Sequence, residues 1–253
     1  MPVLGLGVWK LAAGAETERA VEWALEAGYR HLDTASAYRN EQSVGAALGR
    51  SGLPREEVFV TTKMLPTHPS APRELARSLE RLGLGYVDLY LLHWPLPFRN
   101  ARLWREFESL REQELAREIG VSNFGRSALE RLLRHAHVKP AVNQVQFSPF
   151  HYRKRLLEYC VEREIVFEAY SPLAHGRGLQ DPTITAVAER LGRTPAQIML
   201  RWATQHGAAV IPKSRHRERI RSNAQVFDFE IPDDEMRRLD ALDRTSESAR
   251  ARF

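Results

Sequence analysis

Four residues of the 253-residue chain form an acid–base set: Asp33, Tyr38, Lys63 and His93. An ammonium beside a phenol favours the phenolate, so Lys63 next to Tyr38 is expected to draw the phenol pKa down from about 10 toward neutrality. A tyrosine tuned in this way is a general acid at cellular pH. Asp33 would keep Lys63 charged and in place. A neutral His93 would offer a ring N–H to orient a carbonyl oxygen. The set protonates an oxygen while some other agent attacks the carbon, and it contains no nucleophile. A hydride carried by a cofactor fills that gap. Singly, each residue has an ordinary explanation as a helix cap, an ion pair, a surface ring or a core histidine. Their placement in the chain is what ties them together.

All four lie at or just after the ends of predicted strands. Short apolar or β-branched runs at 3–8, 29–33, 58–63, 87–93, 119–123, 141–144, 165–170 and 208–211 read as strands. Helical patterns fill the intervals at 16–27, 41–50, 72–82, 103–111, 127–135 and 153–163, followed by 182–191, 195–206, 216–223 and 233–242. Asp181 before Pro182 and Thr194 before Pro195 are start signals, with a capping side chain preceding a proline at the first helical position. Ser127 is the expected cap of its helix, and Gly28, Gly52 and Gly83 stand where helices should stop. Eight such alternations over about 250 residues predict an α/β chain, a single (β/α)8 barrel domain over 1–253. Chemistry in that architecture sits on the loops after the carboxyl ends of strands. Asp33 and Tyr38 follow the second strand, Lys63 ends the third and His93 the fourth. Ser122-Asn123, Asn143-Gln144, Tyr170-Ser171 and Lys213-Ser214 close the next four. Polar groups from seven consecutive strands thus converge on one rim.

Composition removes other classes. Apolar residues make up 43% and charged residues 27%, the balance of a globular domain rather than a disordered or fibrous chain. No apolar run approaches the ~20 residues of a membrane span, and the first residues lack the pattern of a signal peptide. The lone Cys160 cannot form an internal disulfide, which fits a reducing cytoplasm. The net charge is +5, and only five of the 37 cations are lysine. The arginines are dispersed, so neither nucleic acid nor membrane is an expected partner. The dense run at 213–221 suits a small anionic ligand. Gly5-Leu6-Gly7-Val8-Trp9-Lys10 misses the third glycine of a dinucleotide fingerprint, and no Walker loop occurs. His31, Asp33 and His93 make a weak metal set, so no metal is expected.

The motifs then point to a family. Gly28-Tyr29-Arg30-His31-Leu32-Asp33-Thr34-Ala35, with Tyr38, Glu41 and Gly45 following, resembles the first signature of the aldo-keto reductases. Ile119-Gly120-Val121-Ser122-Asn123-Phe124 resembles the second. Ile211-Pro212-Lys213-Ser214, then Arg219 and Asn223, resembles the third. Leu91-Leu92-His93-Trp94-Pro95 and Ala169-Tyr170-Ser171-Pro172-Leu173 are similar to further family segments. The resemblance runs from residue 2 to about 242, nearest the bacterial diketogluconate-reductase-like branch. It implies a metal-free NADPH-dependent reductase of aldehydes and ketones, usually monomeric, with Asp33, Tyr38, Lys63 and His93 as catalytic tetrad. It implies Ser122, Asn123 and Gln144 at the nicotinamide carboxamide, and Tyr170 stacked on the ring. Ser171 and Leu173 would hold the pyrophosphate. Lys213, Ser214 and Arg219 would hold the 2′-phosphate, with Asn223 near the adenine. Trp9 and Trp94 would wall the substrate pocket.

The chain also departs from the family pattern. It starts without the usual N-terminal β-hairpin, so either the true start lies upstream or the barrel leaves its lower end more open. Leu65 stands where a tryptophan is common, and Phe147-Ser148-Pro149 replaces a histidine–proline pair. The segments after Tyr170 and after Leu242 are short. These changes fall on the segments that set substrate choice; a small sugar-derived or keto-acid carbonyl is the expected substrate. The alternative function is a nucleotide-binding regulatory barrel that keeps the cofactor without turnover. The intact tetrad argues against it.

Overall fold

The computed structural model describes residues 1–96 and 98–245. Eight strands pair in parallel in chain order: β1 (Leu6–Gly7), β2 (His31–Asp33), β3 (Phe59–Met64), β4 (Val87–Leu92), β5 (Ala116–Ser122), β6 (Val142–Gln146), β7 (Val166–Tyr170) and β8 (Ala209–Ile211). The first and last strands also meet. Gly5 donates its N–H to the Val210 carbonyl at 2.9 Å, Gly7 to Pro212 at 3.2 Å, and Val210 to Val3 at 2.7 Å. The sheet therefore closes on itself, which leaves no edge to protect.

Among the described residues ten helices surround it: α1 (Ala15–Glu26), α2 (Glu41–Arg50), α3 (Ala71–Leu82), α4 (Asn100–Glu112), α5 (Arg126–Leu133), α6 (Lys154–Val161), α7 (Pro182–Leu191), α8 (Pro195–Gln205), α9 (Arg217–Ala224) and α10 (Asp233–Asp240). Strands of a parallel sheet covered by helices read as continuous apolar runs, which is why eight of them were legible. The expected caps at Asp181 and Thr194 form, the latter as a reciprocal box with Gln197. The expected cap at Ser127 does not. Gly125 starts α5 and Ser127 lies inside the helix. The strand expected at 3–8 shrinks to Leu6–Gly7; around it Val3, Gly5 and Gly7 bond to β8 and the residue after it, and Val8 bonds the Asp33 carbonyl at the end of β2. A helical turn at Ala174–Gln180, absent from the sequence reading, fills the segment after β7.

The barrel interior has two tiers. Phe59, Leu89, Leu91 and Val142 form a small apolar cluster separate from the main core outside the strands. Period-two alternation places His31 and Asp33, Thr61 and Lys63, and Glu168 and Tyr170 on shared strand faces. Buried polar side chains therefore stand where most barrels of this kind carry branched apolar ones. Among the described residues no helix is long and apolar enough to cross a membrane. The residues 246–253 of the polar tail lie outside the described ones.

Candidate active site

Three consecutive strands deliver Asp33, Tyr38, Lys63 and His93. Asp33 ends β2, and a 3-10 turn at Ser36–Tyr38 swings Tyr38 back over the barrel. Ser36 Oγ pins that turn by donating to the Lys63 carbonyl at 3.0 Å. Lys63 on β3 is fully buried, and its Nζ lies 2.7 Å from Asp33 Oδ1, 2.8 Å from the Thr34 carbonyl and 3.4 Å from Tyr38 Oη. His93 follows β4, its ring edge-on to Tyr38 with centroids 5.7 Å apart. A buried lysine loses hydration, yet Asp33, Tyr38 and Glu168 outweigh that loss and raise its pKa, so the ammonium persists. Burial, then the Lys63 charge, lowers the His93 pKa to about 3, so its imidazole is neutral as expected.

The phenol expectation is corrected. Burial outweighs the Lys63 ammonium at Tyr38, and Asp33 and Tyr170 add to it, so the pKa rises above its usual value instead of falling. Burial is the main reason, and the company Lys63 keeps adds to it. Its charge is largely spent on Asp33 at 2.7 Å, and the longer 3.4 Å contact to Tyr38 receives what remains. Tyr38 consequently holds its proton at neutral pH.

The remaining expected residues extend from this corner along a single cavity of about 1430 Å³, larger than the ~300–1,000 Å³ of an ordinary small-molecule pocket and roomy enough for a dinucleotide plus a second ligand. Ser122, Asn123, Gln144 and Tyr170 line its first stretch. Tyr170 Oη donates to Asn123 Oδ1 at 2.8 Å, and Asn123 Nδ2 reaches the His93 carbonyl and Ser122 Oγ, both at 3.0 Å. Asn123 holds a left-handed backbone, φ 64°, and so does Ser171, φ 50°; strain of this kind is retained where side chains must be aimed. Ser171 and Leu173 follow along the wall. Lys213 and Ser214 before α9, Arg219 in its first turn and Asn223 near its end also line the cavity. Ser214 Oγ accepts the His216 N–H at 3.1 Å, while Lys213 and Arg219 are exposed and paired with no carboxylate among the described residues. Trp9 and Trp94 stand at the mouth, 42% and 48% exposed, free to meet a substrate. Every residue expected at the site is therefore brought to this cavity, except that Lys63 lies behind its wall, in contact with Asp33 and Tyr38. Asn143 points away and bonds the Phe124 carbonyl.

Sequence reasoning passed over other lining residues. His175 and Arg177 come from the unexpected turn after β7, and Arg215 and His216 from the basic run. It also missed Glu168, a fully buried acid in the middle of an apolar strand; that incongruity was the available signal. Among the described residues no group of three or more His, Cys, Asp or Glu side chains is arranged to hold a metal.

Known proteins share both sequence and geometry. The profile described as "Aldo/keto reductase family" matches residues 3–244. The chain is 44% identical to a 9,11-endoperoxide prostaglandin H2 reductase of Trypanosoma cruzi, covering 96% of this chain and 88% of that protein. It is likewise 44% identical to a glyoxal reductase of Bacillus subtilis, covering 96% and 90%. A crystal structure of an aldo/keto reductase from Brucella melitensis superposes with a TM-score of 0.92 at 40% identity, over 96% of this chain and 95% of that one. The aldose reductase of Schistosoma japonicum gives 0.90 at 35% identity, over 96% and 89%. With the motifs, the closed barrel and these relatives in agreement along nearly its whole length, the chain belongs to the aldo/keto reductase family.

Proposed function

We propose that this reductase converts aldehydes and ketones to alcohols with NADPH, Tyr38 donating the proton to the carbonyl oxygen. One observation carries the reading: the Tyr38 and His93 rings meet edge-on, 5.7 Å apart, on the cavity lining, above the ion pair of Lys63 and Asp33. His93 orients the carbonyl oxygen without competing for the proton, since its imidazole is neutral. As the phenol gives up its proton, charge develops on Tyr38 Oη, and the ammonium 3.4 Å away is already in place to stabilise it. The pairing of Lys63 with Asp33 prevents that ammonium from being lost to burial.

The cavity suits a nicotinamide dinucleotide in its chemistry as well as its volume. The cofactor, when bound, supplies the hydride. Ser122, Asn123 and Gln144 present amide and hydroxyl groups suited to a carboxamide, and Tyr170 offers an aromatic face. Two unpaired cations, Lys213 and Arg219, together with Ser214 at the start of α9, suit the dianionic phosphate that distinguishes NADPH from NADH. Within the family we assign the chain to the bacterial diketogluconate-reductase-like branch, on its short segment after β7 and on Leu65 in place of an aromatic. Small sugar-derived or keto-acid carbonyls are the proposed substrates; one similar protein is named for a small dicarbonyl, glyoxal.

The test is turnover. NADPH consumption should be measured with a panel spanning sugars, keto acids, methylglyoxal-like dicarbonyls and aromatic aldehydes. Reduction of small carbonyls is expected. Tight NADPH binding with no carbonyl reduced would overturn the reading and favour a regulatory nucleotide-binding barrel.

A further inference from the structure

Glu168, midway along β7, plays no part in the reaction described above. Its Oε2 accepts an N–H from Gln144 Nε2 at 2.7 Å, and the same nitrogen donates to Asp33 Oδ2 at 2.8 Å. The Gln144 amide thus spends both its protons on two carboxyl groups inside the barrel. Its orientation is fixed: nitrogen inward, and the carbonyl oxygen left for the cavity that Gln144 lines. Glu168 Oε1 has no hydrogen-bond partner and stands 3.7 Å from His31 Nε2, which is bonded to Thr61 Oγ1 at 3.0 Å.

Two carboxyl groups share one amide, but only one has a counter-ion. Asp33 has the Lys63 ammonium at 2.7 Å; among the described residues no cation lies within hydrogen-bond reach of Glu168. Two carboxylates so close in a dry interior do not both ionise at neutral pH, so the proton resides on Glu168. Burial, followed by the Asp33 charge, pushes its pKa up to about 8 against the opposing pull of Gln144 and Lys63. The groups facing it are Asp33 and His31 from β2, Lys63 from β3 and Gln144 from β6, while β8 opposes it with the uncharged Ala209. His31 carries no charge. Its burial, with Lys63 and the chain's amino terminus, holds its pKa at about 3.

Resting on the reductase reading, we infer that Glu168 is a positioning residue. As a neutral acid it locks the Gln144 amide with its oxygen toward the nicotinamide carboxamide. When ionised it places a second negative charge behind the row of Asp33, Lys63 and Tyr38. That charge favours the protonated ammonium and the protonated phenol, so it extends the pH range over which Tyr38 keeps its proton. A merely structural acid would do neither.

Two variants separate the roles. Glu168→Gln copies the shape and the acceptor of the neutral acid but cannot ionise. Glu168→Leu removes the acceptor and leaves one Gln144 proton unpaired. At pH 6.5 the Glu168→Gln enzyme should turn over within about twofold of wild type and bind NADPH equally well. Its alkaline loss of kcat should begin about half a pH unit lower. Glu168→Leu should bind NADPH about 10-fold more weakly, because the amide is free to turn. A readout without turnover comes from infrared spectra of the cofactor-free protein. Wild type minus Glu168→Gln should show a protonated carboxyl band at pH 6.5 that fades as the pH passes about 8. A wild type that reduces no carbonyl defeats the reductase reading by itself. A wild type that does, with a superimposable Glu168→Gln profile and no carboxyl band, overturns the role given to Glu168. If Glu168→Leu fails to fold, Glu168→Gln and the spectra still decide.

Discussion

Tyr38 shows how a single residue can keep its proposed role while the expected cause is reversed. Lys63 was expected to acidify the phenol, yet burial keeps the proton on it, and proton donation needs that protonated state. Tyr38→Phe preserves the ring and its contact with His93 and deletes the transferable proton. We predict a fall in kcat of ~10²–10⁴ with NADPH affinity nearly unchanged, read by steady-state kinetics and by quenching of tryptophan fluorescence. Near wild-type turnover would remove Tyr38 from the mechanism. Arg219 is the corresponding case at the other end of the cavity. It is exposed and, among the described residues, has no carboxylate partner, so its cation is available to a phosphate. A charge-assisted hydrogen bond contributes roughly 1.5–3 kcal/mol, about 10- to 150-fold in affinity. Arg219→Ala should weaken NADPH binding by about that factor, while NADH binding moves less than about threefold. Equal losses for both cofactors would mean that no phosphate is held there.

At the scale of the element, α2 explains why one of its glycines belongs to a signature and the other does not. A Cβ built on Gly45 would stand 2.0 Å from the Leu82 carbonyl oxygen at the end of α3, a backbone atom with no freedom to retreat. The same atom built on Gly49, one turn further along, would meet nothing within 4 Å. A single substitution therefore has opposite signs four residues apart. Gly45→Ala should cost about 2 kcal/mol or more by forcing α2 off α3. Gly49→Ala should stabilise by about 0.5–1 kcal/mol, since it restricts the unfolded chain and suits a helix interior. Urea unfolding of the two variants checks this, and a stable Gly45→Ala would contradict the close approach. The motif glycine is a packing requirement, with no direct part in the chemistry.

At the scale of the whole molecule, the polar column inside the barrel links stability to pH. His31 titrates at about 3 in the folded chain and near 6.5 when unfolded, so unfolding takes up a proton and stability is lost as pH falls below about 6.5. Glu168 runs the other way. Its folded pKa of about 8 lies above an unfolded value near 4.5, so stability falls as pH rises between those limits and is regained on acidification. Each contributes roughly 2 kcal/mol between pH 7 and pH 5, with opposite sign. Glu168→Gln deletes the second contribution and should lose about 2 kcal/mol more than wild type on going from pH 7 to pH 5, measured by urea denaturation at both. Parallel losses would show that Glu168 carries no proton in the folded state.

The sequence alone indicated the barrel, the four residues Asp33, Tyr38, Lys63 and His93 that the fold brings together, and the basic run that lines the cavity. Each rests on a local signal: apolar runs at strand spacing, chemically distinctive residues at strand ends, and lysines conspicuous among arginines. Strand β1 was overextended and the α5 cap misplaced, because backbone hydrogen bonds to distant partners settled both. Only the tertiary structure decided the protonation states. The Tyr38 pKa depends on how much of the Lys63 charge Asp33 absorbs, and the state of Glu168 on its lack of a cation within reach. Those are sums over residues separated by 25 to 135 positions, and a pattern read along the chain carries no distances between them.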